Sequence, residues 1–188
     1  MKSEDYFDVF VVANFTDFWI AEEHLTEASK SGEPTRVDEG KKGALRAGMN
    51  AATAAYHFAD AAYATRPVWM GTAATDVAAL RRDVEARHCF MQRTTNPATD
   101  LSVLGAVVDA YKHFHLTSSS RAVKTVGATI VVATGWGELG WGEGKYGGVD
   151  QVIVQLNDGS KRALSSILQN VIDMWRRVMG VPLKDYGL

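Results

Sequence analysis

Val37-Asp38-Glu39-Gly40-Lys41-Lys42-Gly43-Ala44-Leu45-Arg46-Ala47-Gly48-Met49-Asn50-Ala51-Ala52-Thr53-Ala54-Ala55-Tyr56-His57-Phe58-Ala59-Asp60-Ala61-Ala62-Tyr63-Ala64 is the stretch that sets the fold class. It is alanine-rich, free of proline, and its larger apolar residues Leu45, Met49, Tyr56 and Tyr63 fall on one helical row. A helix with so many alanines allows close approach of neighbouring helices. Thr65-Arg66-Pro67 closes it, because the residue before a proline is turned away from helical geometry.

Helical patterning continues on both sides. Upstream, Phe7, Phe10, Val11, Phe15, Phe18 and Leu25 recur at helical spacing from Ser3, a candidate N-cap, to about Ser29. Ser31-Gly32-Glu33-Pro34 stops that helix. Downstream, Val77, Leu80, Val84 and His88 define a third helix from about Thr75 to Gln92, with Asp76 and Asp83 favouring its first turns. Asn96-Pro97 breaks the chain. A fourth helix, about Ala98 to Leu116, carries Leu101, Leu104, Val108, Tyr111 and His115 on its apolar face.

After Ser118-Ser119-Ser120 the pattern changes. Val123 to Thr134 is rich in Val, Ile and Thr, and Val149 to Leu156 alternates, so both read as strands of one antiparallel hairpin. Asn157-Asp158-Gly159 is a turn. Ser160 is a candidate N-cap for a last helix through Met179, with a wide apolar stripe from Leu164 to Val178. The expected fold is mainly α: a bundle of four helices plus a C-terminal helix, with one antiparallel β-hairpin. Residues 1–188 read as a single domain, 1–120 the bundle core and 121–188 the hairpin and closing helix.

Composition bounds the function. Hydrophobic residues make up 46% and charged residues 22% of 188, and the net charge is −2, so no global basic field draws nucleic acid to the surface. A single cysteine, Cys89, forms no internal disulfide and fits a reducing compartment. The first residues lack the apolar run of a secretory signal, and no run approaches the ~20 apolar residues of a membrane span. The expectation is a cytoplasmic protein with no membrane association.

Chemistry concentrates in two stretches. On the second helix, Arg46, Asn50, Thr53, His57 and Asp60 recur every three or four residues and fall within roughly an 80° arc. Apolar shoulders flank this narrow stripe, which points to partial burial, with His57 and Asp60 within bonding reach. On the fourth helix, Asp109, Lys112 and His113 form a second polar group, where the positive charges also complement the helix C-terminus. His115 reads as packed into the core. The binding candidates are Arg46, Asn50, His57, Asp60, Asp109, Lys112 and His113.

A third feature is Gly135-Trp136-Gly137-Glu138-Leu139-Gly140-Trp141-Gly142-Glu143, a repeated Gly-Trp-Gly-Glu between the two strands. It matches G-x-G-x-x-G, but a strand follows where a dinucleotide site needs a helix, and the other kinase signatures are absent. It reads as a long hairpin tip. If it binds, Trp136 and Trp141 are aromatic anchors for a neighbouring subunit or for a protein or RNA partner. A ferritin-like dimetal site needs two E-x-x-H motifs; Glu85-Ala86-Arg87-His88 supplies one. No metal and no cofactor are expected.

The layout with Arg46, Asn50, Tyr56-His57 and Asp60 on one helix and Asp109, Lys112-His113 ending a later one resembles uncharacterised bacterial helical-bundle proteins. It is similar to the HEPN superfamily, over about Ser3 to Leu116. That resemblance implies a small, often homodimeric bundle that serves as a binding or interaction module linked to defence or RNA. Its alternative is a metal-independent ribonuclease of the toxin type. Active members carry an Arg and a His four to six residues apart, and Arg82 to His88 has that spacing. Arg82 would stabilise phosphate charge and His88 would act as general acid or base on a ribose hydroxyl.

Overall fold

The computed structural model describes residues 1–71, 74–114, 116, 122–133 and 149–184. The first helical segment runs through α1 (Ser3–Tyr6), a π-helical stretch (Phe7–Val12) and α2 (Ala13–Ser31). The wider π turn lets Phe7 and Val11 fall in line with Phe15 and Phe18, and all four are buried. Gly32 ends α2 with φ 69°, and Pro34 opens α3 (Pro34–Thr65) at once. α4 (Val77–His88) is capped by the Asp76 side chain, which accepts from the Ala79 N–H. α5 spans Asp100–His113.

The expectation of a mainly α fold with a small antiparallel sheet holds, and the sheet has one strand more than a hairpin. β1 (Thr129–Ala133), β2 (Asp150–Gln155) and β3 (Lys161–Ala163) pair in the order β1-β2-β3, with Val131 opposite Val152 and Val154 opposite Arg162. A 3-10 turn at Val126–Ala128 delays the first strand to Thr129. The third strand moves the start of α6 (Leu164–Met179) beyond Ser160, which instead bonds Asp158 in the turn. β3 pairs only with the far end of β2. Where it stops, the buried Glu22 carboxylate of α2 accepts the Val152 N–H at 3.0 Å.

α3 buries its small residues: Ala44, Gly48, Ala51, Ala52, Ala55, Ala59 and Ala62, with Phe58 and Met49. Leu45, Tyr56 and Tyr63 of the bulky row are only half-buried. Close approach explains this choice. A Cβ on Gly48 would lie 2.9 Å from Leu164, and one on Gly105 of α5 would lie 2.6 Å from the Tyr56 ring.

At the centre lies α6. It packs against α3, α4 and α5 and against β2 and β3, and every residue from Leu164 to Trp175 is buried. Its apolar side meets the core, where Trp175 stands edge-on to Phe58 with ring centres 4.9 Å apart. Its polar side is buried too. Asn170 donates to Asp100 at 2.7 Å, Asp100 takes both Nη atoms of Arg162, and Asp173 accepts from Gln169 at 2.9 Å and from Arg93 at 3.0 Å.

Overpacking at the α3–α5 contact is directly testable. Gly105→Ala should cost about 1–3 kcal/mol of stability in urea unfolding. In a Tyr56→Ala background the same change should become neutral or stabilising by up to about 1 kcal/mol, the helix propensity of alanine over glycine. A Gly105→Ala single variant as stable as the parent would contradict the packing.

Candidate functional site: a cleft between α3, α4 and α5

The polar stripe of α3 divides into two places. Arg46 and Asn50 line a groove of about 440 Å³ against α2, together with Asp17, His24 and Glu39. His57 and Asp60 turn instead toward α4. His57 Nδ1 lies 3.0 Å from Asp60 Oδ2, and the same oxygen takes Arg81 Nη2 at 2.5 Å. The stripe is solvated rather than partly buried, with 48% of the His57 and Asp60 side chains exposed. The alanines beside it turn into the core and leave the longer polar chains at the surface.

Arg81 was not marked by sequence reasoning, yet it organises this region. Its guanidinium lies 4.0 Å above the centre of the Tyr56 ring. Tyr56 in turn fits against Gly105, where a side chain would collide with it. Asp60 fixes one end of Arg81, while Arg81 Nε is buried with no partner among the described residues. The available signals were the Arg81-Arg82 doublet and the glycine inside an apolar helix, and neither is specific alone.

These residues border a cleft of about 220 Å³ lined by Tyr56, Ala78, Arg81, Arg82, Leu101 and Ser102. Glu85 closes one side by accepting from Ser102 N at 2.7 Å and from its hydroxyl at 2.5 Å. That contact satisfies an open N–H in the first turn of α5, whose Thr99 N-cap provides no side-chain cap. Arg82 is exposed and makes no hydrogen bond or ion pair among the described residues. The cleft therefore offers one pinned and one free guanidinium above an aromatic face, a geometry suited to an anion.

The other candidates are not gathered here. His88 lies six residues beyond Arg82, about 120° further round the helix, and does not line the cleft. Its backbone carbonyl accepts from Arg177 Nη1 at 3.1 Å. Partial burial, with help from Arg87 and Arg177, pushes the His88 imidazole pKa below its ordinary value. Asp109 is half-buried, and Lys112 and His113 are exposed on the last turn of α5. No hydrogen bond or ion pair joins His113 to His57 or Asp60 among the described residues. His115, Trp136 and Trp141 lie outside the described residues. Among those described, no group of three His, Cys, Asp or Glu side chains converges as metal ligands would. No described helix is long and apolar enough to cross a membrane.

No family model, curated protein or solved structure matches the chain. The likeness to HEPN proteins therefore stands on the residues quoted above alone.

Two titrations follow from burial. Cys89 is buried and its thiol is pushed up to about 12, chiefly by desolvation. It should resist a thiol reagent at pH 8 in the native protein and react fully in urea; rapid labelling of native protein would contradict its placement. His88 is neutral more readily in the folded than in the unfolded chain. The unfolded state therefore binds the extra proton, and stability is intact above the unfolded value of 6.5 and lost as pH falls below it. His88→Gln should flatten that acid-side decline in melting temperature. An unchanged slope would sink the assignment.

Proposed function

We propose that this chain is a binding module whose α3–α4–α5 cleft takes a phosphate-bearing ligand, with RNA the polymer expected to present it. The observation that supports the reading is the free Arg82 guanidinium beside Arg81, across a concave surface that includes Tyr56 and Ser102. Arg81 is held in place before any ligand arrives, by Asp60 and by the Tyr56 ring, so little side-chain freedom is lost on binding. A phosphate oxygen accepting from Arg82 gains a charge-assisted bond. His57 is bonded to Asp60, the carboxylate that also holds Arg81.

The metal-independent ribonuclease alternative gains no support from α4. General acid–base catalysis needs the imidazole within hydrogen-bond reach of the ribose whose phosphate the arginine holds, and Arg82 and His88 diverge. The two readings separate in one assay series with labelled single-stranded RNA, a mononucleotide and inorganic phosphate, all in the presence of a chelator. Binding should saturate without cleavage, and Arg82→Ala should weaken it about tenfold, the loss of one charge-assisted bond. Arg82 is exposed and makes no hydrogen bond or ion pair among the described residues, so the variant should melt like the parent. Absence of saturable binding by any phosphate ligand would overturn the proposal. RNA cleavage abolished by His88→Ala would establish the ribonuclease instead.

A further inference from the structure

The two banks of the α3–α4–α5 cleft differ in the hydrogen bonds they offer. On α4, Glu85 lies one turn beyond Arg81 and Arg82 and between them in angle, where an ion pair with either is within reach. It pairs with neither. Arg81 goes to Asp60, and Arg82 makes no ion pair among the described residues. Both Glu85 oxygens turn across to α5, where Oε1 accepts from the Ser102 N–H at 2.7 Å and Oε2 from the Ser102 hydroxyl at 2.5 Å.

That choice sets the polarity of the cleft. The Ser102 hydroxyl directs its only proton at Glu85, so it offers the cleft lone pairs alone. The Glu85 carboxylate has about four acceptor positions, and Ser102 fills only some of them. Opposite, the exposed Arg82 guanidinium offers only donors. A ligand that suits both sides carries an anion next to a hydroxyl donor. Phosphate without that hydroxyl satisfies Arg82 and meets a second negative charge at Glu85. The cleft, about 220 Å³, is smaller than the roughly 300–1,000 Å³ of a pocket that encloses a drug-sized ligand, so it takes a phosphate and its sugar and leaves the base outside.

We propose that Glu85 makes the cleft selective for ribose: Arg82 takes the phosphate, and the Glu85 carboxylate, anchored on Ser102, accepts the neighbouring 2′-hydroxyl. The inference rests on the cleft being the phosphate site proposed above, and it adds which sugar that site accepts. In a ribonucleotide the 2′-hydroxyl stands on the carbon next to the 3′-phosphate, so a single unit presents anion and donor together. A deoxyribonucleotide has no hydroxyl there. Its phosphate meets the Glu85 charge, and the carboxylate gives up water without gaining a partner. A site whose polar group is left unpaired rejects such an analogue more strongly than one that merely leaves space. RNA and a free 3′-ribonucleotide share this chemistry.

Equilibrium binding to the full chain tests it, with labelled single-stranded RNA and DNA of one sequence, a 3′-ribonucleotide and its 2′-deoxy counterpart. The parent should bind ribose ligands about tenfold or more tightly than their deoxy counterparts, the worth of one hydrogen bond to a charged group. Discrimination between the polymers alone assigns RNA as the source of the ligand; discrimination between the nucleotides as well assigns the ribose-phosphate unit itself. Glu85→Ala should bring the ratio to within about twofold, and Glu85→Gln, which keeps an acceptor for the Ser102 N–H, should lower it too. Arg82→Ala should weaken all ligands alike and preserve the ratio, because its guanidinium meets only phosphate. Saturable binding with no preference for ribose would overturn the inference and leave the phosphate site standing, as would a preference that survives both Glu85 variants. Absence of saturable binding by every ligand would overturn both.

Discussion

Burial of α6 on every side is the constraint from which the rest of the molecule follows. A helix with one apolar face normally turns its polar residues to water. Here helices cover one side and strands β2 and β3 another, so Asn170 and Asp173 must find partners inside the protein. The answer is a chain of contacts from Arg162 on β3, through Asp100 and Asn170, to the Gln92 N–H, and from Asp173 to Arg93. Charges in such a place are stable only together, because removing one leaves the other desolvated and unpaired.

This network shapes its surroundings. The segment after α4 bends with Gln92 and Arg93 both at positive φ, 43° and 59°, a region that side chains disfavour. Asn170 and Asp173 hold those two residues there, and Arg93 also donates to the Lys184 carbonyl at 2.5 Å. The same network reaches the candidate site. Asp100 is the first residue of α5, and the next two, Leu101 and Ser102, line the cleft. With Arg162 fixing Asp100 from the core side and Glu85 holding Ser102 from α4, the start of α5 becomes a rigid wall against which Arg81 and Arg82 stand.

Much of the fold was legible in local pattern, since the helices and the two longer strands each carry their own periodicity and stops. Lys161-Arg162-Ala163 carries no such signal: three residues with no alternation become a strand only because β2 lies beside them. The buried polar contacts of α6 carry no local signal either, as nothing near Asn170 in sequence announces Asp100. At the site, His57 and Asp60 were legible as neighbours one turn apart. Arg81 was not, because its position depends on Tyr56 packing against Gly105, a contact between helices far apart in sequence. The close approach that the alanines of α3 allow is what the fold uses, and the helix buries its small residues while Leu45, Tyr56 and Tyr63 stay half-buried.

A double-mutant cycle across Asp100 and Arg162, followed by urea unfolding, tests the central claim that this buried pair holds the fold together. Asp100→Leu and Arg162→Met should each cost about 3–5 kcal/mol, because each strands a buried charge. The double variant should cost less than the sum by at least about 2 kcal/mol, since neither charge then remains to be answered. Additive effects, or single variants within about 1 kcal/mol of the parent, would show that α6 does not depend on the network, and the account would fail.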